Sequence, residues 1–218
     1  ERRFTSAGSD PFDAFDWIEM NVEIRNPDGS LAHEIEGARL PSGFAGVAGK
    51  VCAQKYLRKA GVPAALRKVA EDGVPVWLQR SEPDHEKLQT LDSEDRYVGE
   101  TDGRELFRRL AGTWTYWGWN YGYFASEADA RAYYDEMCYL IASQRSAPNS
   151  PQWFNTGLNW AYGITGPAQG HHYIDGTTGG LHLSEDAYTH PQPHACFIQS
   201  VSDSLVGGTE SIMGLWNR

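Results

Sequence analysis

The sequence predicts a mixed α/β chain, with a mainly helical region over residues 1–145 that includes one small hairpin, and a region of different character over residues 146–218. Three observations predict this. Helical periodicity runs through residues 44–60 and again after Ser126. A Pro27-Asp28-Gly29 turn separates two strand-like runs, and an apolar run at 195–201 reads as a buried strand.

The first element is the hairpin. Val22-Glu23-Ile24-Arg25 alternates apolar and charged residues, and a second run covers 31–36. Pro-Asp-Gly supplies the turn chemistry between them. A helix is then expected over 44–60, with Ser42 as N-cap, a stripe of Phe44, Val47, Ala48, Val51, Cys52 and Tyr56, and Gly61 with Pro63 as the stop. Residues 71–102 are polar and rich in turn formers and read as a loop, with a short helix near 85–91. A second helix is expected over 104–111, with Leu106, Phe107 and Leu110 inward.

An aromatic run follows: Trp114, Tyr116, Trp117, Trp119, Tyr121, Tyr123 and Phe124, interrupted by Gly112, Gly118 and Gly122. Such rings serve either as core and docking surface or as a face for sugars. The third helix is signalled by Ser126 as cap, Asp129 at the capping-box position, and a stripe of Ala130, Tyr134, Met137, Cys138 and Ile141, with Pro148 as its end. Residues 149–155 read as a loop anchored by an aromatic. An insertion over 163–193 is expected to hold a hairpin around Asp175-Gly176. Asp203-Ser204 begins a turn into a helix reaching Arg218.

Composition narrows the function classes. The chain has 218 residues and a net charge of -10, which argues against a basic nucleic-acid face. No apolar run is long enough for a membrane span. The three cysteines, Cys52, Cys138 and Cys196, are too sparse for a disulfide framework and fit a reducing, cytoplasmic setting. No phosphate-loop or Gly-x-Ser-x-Gly signature is present. His171, His172, His190 and His194 lack a cysteine pair at zinc spacing, and Pro191 and Pro193 forbid a helix there, so no metal site is expected. Cys52 and Cys138 lie on helical stripes and read as structural. Cys196 stands at a strand start after a loop, where both a reactive and a buried structural thiol are at home.

Several segments together resemble a known family. Asn149-Ser150-Pro151-Gln152-Trp153-Phe154-Asn155, Pro193-His194-Ala195-Cys196-Phe197-Ile198 and Ser202-Asp203-Ser204-Leu205 resemble early active-site segments of ribonucleotide reductases. Arg3-Phe4-Thr5-Ser6-Ala7-Gly8 and the run from Ala53 through Tyr56 and Arg58 to Pro63 resemble the adenosylcobalamin-dependent class II in particular. The resemblance implies that residues 146–218 begin a ten-stranded α/β barrel. It implies a ribonucleoside-diphosphate reductase, although the residues leave diphosphate and triphosphate substrates open. Cys196 matches one of two cysteines that reduce the ribose 2′ position and end as a disulfide. Ala195 matches a residue whose backbone meets the substrate, and Ser150 matches a hydroxyl residue near ribose and phosphate. Asp203, Ser204 and Leu205 match a segment that reads a deoxynucleotide effector at a homodimer interface.

The same resemblance implies adenosylcobalamin, held mostly by residues beyond this chain, and a thioredoxin-like or dithiol reductant. It places the radical-bearing cysteine and the second reducing cysteine beyond Arg218, in the remainder of the reductase polypeptide. The 218-residue chain alone is therefore expected to turn over no ribonucleotide. Two other readings are an aromatic-rich carbohydrate-binding module and a nucleotide-binding module without catalysis.

Overall fold

A computed structural model describes residues 1–192, 201–208 and 211–216. Strands β1 (Trp17–Arg25) and β2 (Leu31–Pro41) form the expected hairpin, longer than its alternating core suggested. Val22 stands opposite Ile35, both buried, and the same sheet sends Ala38 and Leu40 into the core.

The helix expected over 44–60 is divided. Ser42–Phe44 makes one 3₁₀ turn, so Ser42 caps nothing, and α1 (Val47–Lys55) starts after Gly46 at φ 73°, ψ -133°, a conformation that favours glycine. The helix stops at Lys55 because the chain leaves to join residues 97–100. Glu100 N–H donates to the Arg58 carbonyl at 2.7 Å, and Arg58 N–H donates to the Glu100 carboxylate at 2.7 Å. The predicted stripe is also corrected. Val47 and Val51 are exposed, while Cys52 and Ala53 face inward.

The segment over 71–102 is more structured than a loop. Strands β3 (Val62–Pro63) and β6 (Tyr97–Val98) pair, as do β4 (Leu66–Lys68) and β5 (Ser81–Pro83), while α2 (His85–Gln89) is the short helix foreseen. Polar composition hid this because short two-stranded ladders carry little apolar periodicity.

Helix α3 spans Gly103–Asn120, far past the expected end at 111, and absorbs most of the aromatic run. Its start is a capping box: Asp102 accepts from Arg104 N–H at 2.9 Å, and Glu105 accepts from Asp102 N–H at 3.1 Å. Gly112 and Gly118 do not break it. They are close-approach points, because a Cβ would stand 2.2 Å from the Trp160 ring at the first and 2.7 Å from the Phe124 ring at the second.

Helix α4 (Glu127–Ala142) has the predicted cap, with Asp129 N–H donating to Ser126 Oγ at 3.2 Å, but ends six residues before Pro148. It packs beside α3. Ala130, Cys138 and Ile141 are buried as read. One apolar core joins the hairpin, α1, α3, α4 and Trp153, with Phe107, Leu110 and Leu40 fully enclosed. Burying a side chain of that size contributes roughly 1.5–3 kcal/mol.

Past its cap Asn149, the stretch read as a loop over 149–155 is helical: α5 spans Ser150–Asn155, and α6 follows at Leu158–Tyr162. The inserted hairpin is present as β7 (His172–Ile174) and β8 (Leu181–Leu183). After turns through 203–208, α7 covers Ile212–Trp216, shorter than the helix expected from 203. The strand expected over 195–201 lies almost wholly outside the described residues, so the described chain is mixed α/β with small antiparallel sheets. Among the described residues no helix is long and apolar enough to cross a membrane.

Candidate functional site

Helix α5 is short, and its conformation is set by residues around it. The Asn149 side chain accepts from Gln152 N–H, Pro151 occupies the first turn, and buried Trp153 donates its indole N–H to the Pro148 carbonyl at 3.0 Å. Ser150 is exposed, and its hydroxyl lies 3.4 Å from the Tyr56 hydroxyl. The Tyr56 ring stacks on Trp153 at 5.0 Å and tilts against Phe154 at 5.7 Å.

The far end of α5 is held by a buried ion pair. Arg109, on the inner face of α3, donates to Glu100 through Nε at 2.7 Å. Its Nη1 donates to the Thr156 carbonyl at 2.8 Å, and its Nη2 to those of Trp153 at 3.0 Å and Tyr56 at 3.2 Å. Glu100 also accepts from the Tyr162 hydroxyl at 2.7 Å. Burial, then the Glu100 charge, drives the Tyr162 phenol far above its ordinary range. Every oxygen of the carboxylate is thus answered, which is what a charge taken out of water requires. Gly157 then turns the chain at φ 86°, with no room for a side chain beside the Arg109 carbonyl.

A cavity of about 300 Å³ adjoins this assembly, lined by Lys55, Tyr56, Arg58, Lys59, Arg109 and Phe154 among others. The sequence singles out Ser150 only through the family resemblance, and it does not single out Arg109, Glu100 or Tyr162, which hold the far end of its helix. The available signal was an arginine between Leu106, Phe107 and Leu110 on the apolar face of α3, a place where a charge demands a buried partner.

The other predicted positions fall elsewhere. Ala195 and Cys196 lie outside the described residues, as does His194. Cys52 and Cys138 are buried free thiols. Burial, then the Glu100 charge, pushes the Cys52 thiol up to about 12, and burial raises Cys138 further. Neither is available for thiolate chemistry near neutrality. Asp203 and Leu205 are exposed. Ser204 forms the turn, its Oγ accepting from Gly207 N–H at 2.9 Å and its carbonyl from Ile212 N–H at 3.2 Å. Among the described residues no hydrogen bond links this turn to α5.

The aromatic run is largely accounted for by packing: Tyr116 donates to Glu71 at 2.6 Å and Trp119 to the Gly73 carbonyl at 2.8 Å. Tyr116, Trp117 and Tyr121 line a cavity of about 920 Å³ that also meets His171, Tyr173 and His190 of the insertion. His171 Nε2 lies 2.6 Å from the His190 carbonyl, and the His190 ring stacks on Tyr173 at 3.6 Å. Burial, then His171, lowers the His190 pKa. No group of metal-ligating side chains occurs among the described residues.

A family model described as class II vitamin B12-dependent ribonucleotide reductase matches residues 18–144. The vitamin B12-dependent ribonucleotide reductases of Bradyrhizobium diazoefficiens and Agrobacterium fabrum are each 55% identical to this chain over 220 residues, covering 100% of it and 17% of the relative. The enzyme of that name from Rhodopirellula baltica is 28% identical over 208 residues, 95% of this chain and 16% of its own length. The chain therefore spans about a sixth of the length of the curated relatives it matches.

Proposed function

The chain belongs to the class II vitamin B12-dependent ribonucleotide reductases, and from that premise we propose that it forms the amino-terminal part of an enzyme that converts ribonucleotides to deoxyribonucleotides. The observation that carries this reading is the fixed presentation of Ser150. Its helix is capped at one end by Asn149 and held at the other by the buried Arg109, which leaves the hydroxyl exposed beside Tyr56. A hydroxyl so held suits hydrogen bonding to the ribose and phosphate of a nucleotide.

In this reading residues 146–218 begin the α/β barrel, and Cys196 stands where its thiol reaches the ribose 2′ carbon. The 2′ hydroxyl leaves as water, and two thiols each lose a proton and an electron and become one disulfide. The partner cysteine comes from the remainder of the reductase polypeptide, and a thioredoxin-like or dithiol reductant restores the pair. Ala195 offers backbone to the substrate. Asp203, Ser204 and Leu205 read a deoxynucleotide effector at a homodimer contact, in the cytoplasm. The exposed Asp203 and Leu205 support that role, since a partner has access to them.

Adenosylcobalamin supplies the initiating radical when bound. The described residues do not fit it as a whole. The cavity of about 920 Å³ beside Tyr116 and His171 is of the size that drug-sized ligands fill, and a complete corrinoid is much larger.

The test is complementation. The full-length reductase containing this chain is assayed for deoxynucleotide formation with adenosylcobalamin and a dithiol, beside Cys196→Ser and Ser150→Ala. Loss of turnover in the first and a raised KM in the second are expected. Full turnover by the Cys196→Ser enzyme would end the assignment.

A further inference from the structure

In the run from Ala53 to Pro63, the backbone of Tyr56 and Arg58 binds the Arg109–Glu100 pair, while the basic side chains of Lys55, Arg58 and Lys59 take no part in it. These cations collect at one place. Lys55, Arg58 and Lys59 line the cavity of about 300 Å³ beside Tyr56 and Phe154, with Arg109 also at its wall. In a chain of net charge -10 these three form a local cluster of basic side chains. Among the described residues, no carboxylate lies within ion-pair distance of these three side chains.

Structural duties account for only part of the cluster. Lys55 sits in the last turn of α1, where a cation offsets the helix dipole. Arg58 gives its Nε to the Ala60 carbonyl at 3.0 Å and lies over the Tyr188 ring at 5.9 Å. Lys59 has no such task among the described residues. The Arg109 donors are occupied by Glu100 and carbonyl groups, so among the described residues the free donors are the two ammonium groups and the outer nitrogens of Arg58. Both lysines are exposed and able to reach a ligand.

We propose that this cavity is a phosphate subsite, in which Lys55, Arg58 and Lys59 hold the phosphate of a nucleotide. Its volume, at the small end of ligand pockets, suits the phosphate-bearing end rather than a whole nucleotide. The Tyr56 and Phe154 rings flank it, and the Tyr56 hydroxyl joins it to Ser150. That the nucleotide is the substrate rests on the function proposed above. That the subsite takes phosphate rests on the cations and the cavity alone.

The experiment uses the full-length reductase containing this chain. Lys55→Gln/Lys59→Gln is compared with Lys55→Arg/Lys59→Arg, both at exposed positions that leave the core untouched. Binding of inorganic pyrophosphate is followed by calorimetry, and substrate and effector constants by steady-state kinetics. The glutamine variant is expected to weaken pyrophosphate binding about tenfold or more, as loss of charge-assisted hydrogen bonds does, while the arginine variant stays within about twofold. A parallel rise in substrate KM with kcat unchanged assigns the subsite to substrate. A rise in the half-saturating effector concentration instead assigns it to effector. Pyrophosphate affinity unchanged in the glutamine variant overturns the proposal. A wild-type enzyme without reductase activity would count against the function proposed above, and the calorimetric arm would still decide the subsite.

Discussion

Arg109 on α3 and Glu100 in the connection between β6 and α3 form an ion pair whose side chains are 1% and 0% exposed, with Nε and Oε1 2.7 Å apart. The pair does more than neutralise itself. Its outer nitrogens gather carbonyls from the end of α1 and from α5, and its carboxylate takes the Tyr162 hydroxyl of α6 and the Arg58 amide. Segments distant in sequence are thus fixed around one guanidinium, and Ser150 is positioned by that arrangement.

Removing one partner strands the other in a dry interior. Arg109→Met is expected to lower the unfolding free energy by about 3–5 kcal/mol, measured by denaturant titration. Adding Glu100→Met should recover part of the loss, because no carboxylate is then left uncompensated. Recovery will be incomplete, since the Trp153, Thr156 and Tyr56 carbonyls still lose their donor. Full additivity of the two losses would show that the residues act independently.

The buried thiols predict an alkaline limit. A group whose pKa is raised on folding binds its proton more tightly in the native state, so its stabilisation is complete below the unfolded value and is lost as pH rises. For Cys52 that window runs from the ordinary 9.0 towards about 12. Stability should therefore fall across it, and Cys52→Ala should flatten the fall. At mildly alkaline pH, a thiol reagent should leave Cys52 and Cys138 unmodified in the native chain and label both in denaturant, read by peptide mass.

Glu136 predicts an acid-side effect at the amino-terminal segment. Burial pushes its carboxyl up, but the Thr5 hydroxyl and the backbone N–H groups of Phe4, Arg3 and Thr5 outweigh this and hold it below its ordinary 4.5. The stabilisation is present above that value and lost as pH falls through the lowered one. Glu136→Ala should speed amide exchange in residues 3–5 while leaving α3 protected, measured by hydrogen-exchange mass spectrometry.

Local signals in the sequence carried the hairpin, the α4 cap and the insertion hairpin, because each is set by neighbours a few residues apart. The true length of α3 was hidden by Gly112 and Gly118, whose small size serves Trp160 and Phe124, residues outside the helix. Helix α5 was hidden for a related reason. Six residues seldom hold a helix alone, and this one depends on Asn149 beneath it and Arg109 behind it. Ser150 was singled out through family resemblance alone. The partners that position it were not, since Glu100 and Arg109 meet Tyr162 and Thr156 only in three dimensions.

Gly157 offers the sharpest test of how α5 is seated. Its φ of 86° is strained for any L side chain, and a Cβ there would stand 2.4 Å from the Arg109 carbonyl. Gly179, at φ 71°, has the same backbone strain with nothing within 4 Å. Gly179→Ala should therefore cost only the left-handed penalty, about 1–2 kcal/mol. Gly157→Ala adds a collision with helix backbone that no rotamer relieves, and is expected to cost about 3 kcal/mol or more. Denaturant unfolding of the two variants separates strain from collision. Because Thr156 would move away from the Arg109 guanidinium, the full-length Gly157→Ala reductase should also show a raised substrate KM, whereas Gly179→Ala should not. Equal losses in the two variants would mean that the close approach at Gly157 contributes nothing to seating α5.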